Sequence, residues 1–157
     1  MSPYSKMAQT AISAISILAE AYGKGGTSKF NSAEIAKLRG LPKPVIAKVL
    51  TILSQAGLVK GSPGPGGGYA LARPPENITL FEVISLFDRV DRNVSCPFGP
   101  DYCGVGPHCP LHEQLLNLRE EMTRFLHSTT LAAFVPSASG TETQRQKRTK
   151  TGKRIGH

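Results

Sequence analysis

Apolar residues recur at steps of three and four through the first stretch of the chain. Ala8, Ala11, Ile12, Ile15, Leu18 and Tyr22 share one side of a helix predicted over 6–22. Gly23, Gly25 and Gly26 end it. Asn31 followed three residues later by Glu34 is a capping box, which opens a second, shorter helix that stops at Gly40. After Leu41 and Pro42, Pro44 suits the first position of a third helix, where its missing N–H would have no partner in any case. Val45, Ile46, Val49, Leu50 and Leu53 then run down one side to Gly57. Ala36, Gly40 and Ile46 put a small residue at the helix contact, a glycine in the turn and an apolar residue packing back from the next helix. That is helix-turn-helix geometry.

The period then changes. Leu58-Val59-Lys60 and Tyr69-Ala70-Leu71 read as two short strands flanking a glycine-rich tip, Gly61 to Gly68, and a hairpin in this place makes the wing of a winged helix. The tip lacks the Gly-Lys-Ser/Thr ending of a nucleotide-binding loop and joins strand to strand, so it fits a loop of that kind poorly. Thr79 with Glu82 caps a fourth helix carrying Val83, Ile84 and Phe87. An irregular stretch follows from about Val90 to Pro110. From Leu111 onward, Leu115, Leu118, Met122 and Phe125 alternate steps of four and three, a seam that needs a partner: a second copy of the chain or the first helix. The expected fold is mostly α with a small β-hairpin wing, divided into a winged helix-turn-helix over 1–75, a second unit over 76–135 and a disordered basic tail over 136–157.

Charge sharpens that division. Residues 1–73 carry nine Lys/Arg, among them Lys6, Lys43 and Lys48, against Glu20 and Glu34, a net +7 within a whole-chain +8. Residues 74–135 sum to −4 and the tail to +5. A basic module followed by an acidic one points to a polyanion on the first, because counterion release needs cations gathered on one surface. No run approaches the roughly 20 apolar residues of a membrane span, and the first residues show no cleavage-site pattern, so a cytoplasmic protein is expected.

All three cysteines, Cys96, Cys103 and Cys109, fall in the irregular stretch with His108 and His112. An odd, clustered set is poorly suited to a disulfide framework, and thiolates with imidazole in a Gly/Pro-rich loop suit an iron–sulfur cluster, whose sulfides need nearby amides. If Pro110 opens the last helix, Cys109 sits at its N-terminus, where the dipole favours the thiolate, and His112 lies three residues on along the same face. His112 therefore ranks first as fourth ligand, and His108, which would have to turn back sharply, ranks below it. Tetrahedral zinc takes the same donors, although its common knuckles are more tightly spaced; a metal-free redox trio ranks third.

Taken with Ala33-Glu34-Ile35-Ala36, Ala56-Gly57-Leu58-Val59, Gly64 to Tyr69, Leu80 to Phe87 and the cysteine loop, the chain resembles the Rrf-two family of bacterial regulators, with its cluster-binding IscR-like and NsrR-like members. The resemblance implies a homodimer, an N-terminal winged helix, a cluster-binding loop and a long dimerisation helix. It matches Cys96, Cys103 and Cys109 to the three thiolates and His112 to the histidine of IscR-like members; where NsrR-like members carry a carboxylate, this chain has Ala8. The first cysteine gap is one residue longer than in IscR-like members, which leaves [2Fe-2S] and [4Fe-4S] both open. Ala47 and Pro63 replace residues that contact DNA in relatives, so the operator is not transferable.

The expected partner is a double-stranded DNA operator. Lys43, Pro44, Lys48 and Thr51 would face its major groove, with Ser5, Lys6, Gln9 and the wing residues Gly64, Gly66, Gly67, Gly68 and Tyr69 against the backbone. A zinc-stapled interaction module and an electron carrier are the rival classes. No nucleophile–base constellation can be named, so an enzyme is not expected.

Overall fold

In a computed structural model, which describes residues 4–23, 28–90 and 107–137, the first element is α1 (Lys6–Tyr22). Ser5 caps it by accepting a hydrogen bond from the Ala8 N–H at 3.2 Å. The sequence suggests one buried face, yet α1 is buried on nearly every side, including Ile17 and Ala19, because the other elements close around it. Alanines at 8, 11, 14, 19 and 21 permit that close approach. The buried hydroxyls of Thr10 and Ser16 donate to the carbonyls of Lys6 and Ser13, so neither is left unsatisfied.

Helix α2 (Ser32–Arg39) opens with both arms of the expected capping box: Glu34 N–H to Asn31 Oδ1 at 2.9 Å and Asn31 N–H to Glu34 Oε2 at 2.8 Å. Gly40 ends it in the left-handed conformation, φ 63°, which a residue with a Cβ adopts only at a cost. Helix α3 (Lys43–Gln55) starts one residue earlier than the position of Pro44 suggests. Pro42 is its N-cap, and Pro44 is still within the first turn, where backbone N–H groups have no intrahelical partner. Ile35, Ile46, Val49, Leu50 and Leu53 are fully buried between the three helices. Arg39 locks α2 to α1, donating to Ser13 O, Ser16 Oγ and Glu20 Oε1 at 3.0, 2.8 and 2.8 Å.

Strands β1 (Val59–Ser62) and β2 (Gly68–Leu71) pair antiparallel, Val59 opposite Leu71 and Ser62 opposite Gly68. The hairpin is tied to the approach of α2 by a Phe30–Tyr69 bridge with bonds of 3.0 and 2.8 Å. Gly68 sits under that bridge at φ 152°, where a Cβ would stand 2.8 Å from the Phe30 carbonyl carbon.

Helix α4 (Leu80–Ile84) is shorter than expected, leaving Phe87 half-buried beyond its end. Its Thr79–Glu82 capping box is also held from outside, by Arg73 donating to Glu82 Oε1 at 2.8 Å. Burial pushes the Glu82 carboxyl upward. The hydrogen bond from Arg73, the Thr79 N–H, the Arg73 charge and the Thr79 hydroxyl outweigh it and hold the group below the ordinary 4.5. A carboxylate depressed in the folded state adds stability above its unfolded pKa, and that stability disappears as pH falls through the folded value. The melting temperature of the native chain is therefore expected to fall more steeply below about pH 4.5 than that of Glu82→Gln, as circular dichroism can read. Parallel profiles would remove Glu82 from the account.

Helix α5 (His112–Ser128) packs on α4 and joins the core through fully buried Leu126, while a Thr79–Thr130 bridge and buried Leu131 anchor the chain after it. One hydrophobic cluster runs from Ala8 to Leu131. The expected basic tail, from 138 on, lies outside the described residues.

Candidate functional site

Pro44, Lys48 and Thr51, spaced four and three apart, form one stripe of α3, and all are exposed, as is Lys43. The opposite side is the buried one, so α3 presents this stripe as a consequence of its core packing. Thr51 Oγ1 donates back to the Ala47 carbonyl at 2.9 Å. Ser5, Lys6 and Gln9 are exposed at the start of α1. The Ser5 hydroxyl is engaged in capping, its N–H donates to Asp88 Oδ2 at 2.8 Å, and Gln9 Nε2 donates to the Tyr4 carbonyl at 2.8 Å.

At the wing, Gly64 and Gly66 are exposed, Gly67 is half-buried and Gly68 is buried. Tyr69 is half-buried against Gly61 and bridged to Phe30. The tip thus offers backbone to a surface at Gly64 and Gly66, whereas Gly68 and Tyr69 shape the hairpin that carries it. Sequence reasoning missed two exposed cations here, Lys60 on β1 and Lys29, whose Nζ donates to Ser62 Oγ at 3.0 Å. The signal for Lys60 was its place on a strand flanking the tip; nothing local pointed to Lys29. Arg39 and Arg73, by contrast, are committed to Glu20 and Glu82. The cationic surface of this module is therefore largely lysine.

Of the expected metal ligands, Cys96 and Cys103 lie outside the described residues. Cys109 is only 4% exposed, and its carbonyl accepts the His112 N–H at 3.0 Å. The last helix opens at His112 and not at Pro110: Pro110 and Leu111 make a turn, so Cys109 precedes the helix by that turn. The same turn supplies the reversal that His108 needs. The His108 and His112 rings stack, centroids 3.8 Å apart and 19° from parallel. A soft donor withdrawn from water and followed one turn later by an imidazole suits a cluster or zinc, both of which accept thiolate and imidazole.

From that turn runs the seam predicted on α5. Leu111, Leu115, Leu118 and Phe125 are 45%, 38%, 63% and 54% exposed, and Met122 is half-buried, so the described residues leave the seam largely uncovered. Leu126, next to Phe125, points the other way into the core. Among the described residues no helix is long and apolar enough to cross a membrane.

Comparison with known proteins places these features together. The profile of the Rrf2 family, described as an iron-dependent transcriptional regulator, matches residues 4–137. A helix-turn-helix-type transcriptional regulator of Aquifex aeolicus is 34% identical over 104 residues, 65% of this chain and 72% of that protein. The helix-turn-helix-type transcriptional regulator IscR of Klebsiella pneumoniae is 33% identical over 103 residues, 66% of this chain and 63% of its own length. Among solved structures, CymR, the global cysteine regulator of Bacillus subtilis, superposes with a TM-score of 0.66 at 23% identity, covering 87% of this chain and all of that one. IscR of T. potens gives 0.62 at 24% identity, covering 83% and 84%. These two likenesses carry the winged-helix fold. The chain therefore belongs to the Rrf2 family, whose members are transcriptional regulators and not enzymes.

Proposed function

We propose that the chain is an iron–sulfur-dependent member of the family that binds operator DNA as a homodimer. The observation that carries this reading is the position of Cys109 and His112 at the root of α5, the helix that bears the exposed apolar seam. Cys96, Cys103, Cys109 and His112 would hold the cluster, and the IscR relatives share 33% identity with this chain. When bound, the group supplies a redox- and nitric-oxide-sensitive crosslink within the loop. His112 belongs at once to that ligand set and to the first turn of α5, so engaging or releasing its imidazole biases how the helix starts.

Two copies joined along Leu111, Leu115, Leu118, Met122 and Phe125 would set two α3 helices in successive major grooves, half-sites about 34–36 Å apart. Lys43, Pro44, Lys48 and Thr51 face the base edges; Lys6, Gln9, Gly64 and Gly66 face phosphates. Zinc on the same four donors is the second reading, supported by the Cys3His chemistry itself.

Cys109→Ser replaces one buried sulfur by oxygen and leaves the packing nearly unchanged. Purified without oxygen, it is expected to keep native helical content, lose most bound iron and sulfide, and lose any response of DNA binding to cluster removal. Iron and sulfide equal to the native chain would refute the assignment; zinc in place of iron in the native chain, lost in the variant, would establish the second reading.

A further inference from the structure

We infer that His108, His112 and Glu113 form a divalent transition-metal site of the zinc class, which shares only His112 with the proposed cluster ligands. One ligand atom from each lies within 4.8 Å of the other two. His112 and Glu113 are the first two residues of α5, and successive helical side chains diverge by about 100°. Their convergence with a third donor needs an arm from outside the helix. The Pro110–Leu111 turn brings that arm back beside His112, where the two rings stack; because an imidazole binds a metal in its own ring plane, the exposed His108 ring must turn out of the stack for both nitrogens to face one ion.

Ligands on tetrahedral zinc, about 2.0–2.1 Å from the ion, stand about 3.3 Å apart. The three donors need to close by up to about 1.5 Å, and His108 and Glu113 are exposed side chains able to do so. Two imidazoles and one carboxylate select zinc, nickel or copper over magnesium and calcium, which prefer oxygen cages. The N-terminal end of α5 disfavours a cation, and the carboxylate of Glu113 in that first turn offsets the effect. Solvent access to His108 and Glu113 leaves room for water as a fourth ligand.

A regulatory consequence rests on the proposed function. His112 cannot serve the cluster and this ion together, so a divalent metal on the cluster-free chain blocks assembly at the ligand nearest the dimer helix.

The test uses the full chain, cluster-free and reduced, titrated with cobalt(II) as a coloured stand-in for zinc. In a Cys96→Ser/Cys103→Ser background, one cobalt is expected to bind with the visible ligand-field bands of a tetrahedral nitrogen–oxygen site, stronger than those of aqueous cobalt, and no thiolate charge-transfer band. Adding His108→Ala or Glu113→Gln should weaken binding at least about tenfold, with circular dichroism unchanged. Equal affinity in those variants, or no cobalt bound by the parent at 1 mM metal, overturns the site. In the native cysteine background, His108→Ala should still take up iron and sulfide like the unaltered chain. If it does not, His108 is a cluster ligand and the separate site is wrong. If the unaltered chain itself takes up no iron, the cluster reading fails while the cobalt result stands.

Discussion

Leu118→Glu/Phe125→Glu is expected to be a folded monomer with operator affinity reduced at least about a hundredfold. Both side chains are exposed on α5, so neither supports the core of its own subunit. In a twofold seam each substitution appears twice, so four carboxylates would meet where four apolar side chains now do. Burying a leucine or phenylalanine is worth about 1.5–3 kcal/mol, and losing that at four positions exceeds what a short helical seam can spare. A monomer engages one half-site only, which accounts for the affinity loss. Sedimentation velocity with circular dichroism reads the outcome. A variant that sediments like the native chain, or a native chain already monomeric at micromolar concentration, would rule out this seam. Leu126→Ala is the contrast: one position on and fully buried, it should cost about 2–5 kcal/mol of stability.

Gly68→Ala should destabilise the wing strongly, through the contact that ties it to the approach of α2. Its Cβ would stand 2.8 and 2.9 Å from the Phe30 carbonyl carbon and oxygen and 3.1 Å from Asn31 N, all backbone atoms that cannot swing aside. The φ of 152° adds conformational strain. Relief requires opening the Phe30–Tyr69 bridge, which frees the hairpin from the approach to α2. The expected cost is about 2–4 kcal/mol, or roughly 5–15 °C in melting temperature for a chain of this size. Gly66→Ala meets nothing within 4 Å and carries only the left-handed backbone cost, about 1–2 kcal/mol. Equal melting losses in the two variants would contradict the role given to the bridge.

The local signals in the sequence were strong where chemistry acts over three or four residues. Asn31–Glu34 and Thr79–Glu82 cap the helices they were expected to cap, and Gly40 ends α2 in the conformation that favours glycine. Long-range packing was less legible. The burial of α1 on nearly every side depends on elements far along the chain, and a helical wheel cannot see them. Arg39 looks like part of a cationic face until its three acceptors on α1 are known. Pro110 suggested a helix start that the turn before His112 displaced, and this placed His108 beside His112 against expectation. The seam on α5 was readable as apolar spacing, but only its exposure showed that α1 does not cover it.

Cluster control of DNA binding is the central claim, and one paired measurement tests it most directly. Anaerobically purified protein, with iron and sulfide counted, is titrated onto an operator selected from random-sequence DNA, before and after the cluster is removed. The account predicts a coloured protein carrying iron and sulfide and an affinity that changes at least about tenfold on removal. A colourless, iron-poor protein that binds the operator at full strength even after attempted reconstitution would contradict it.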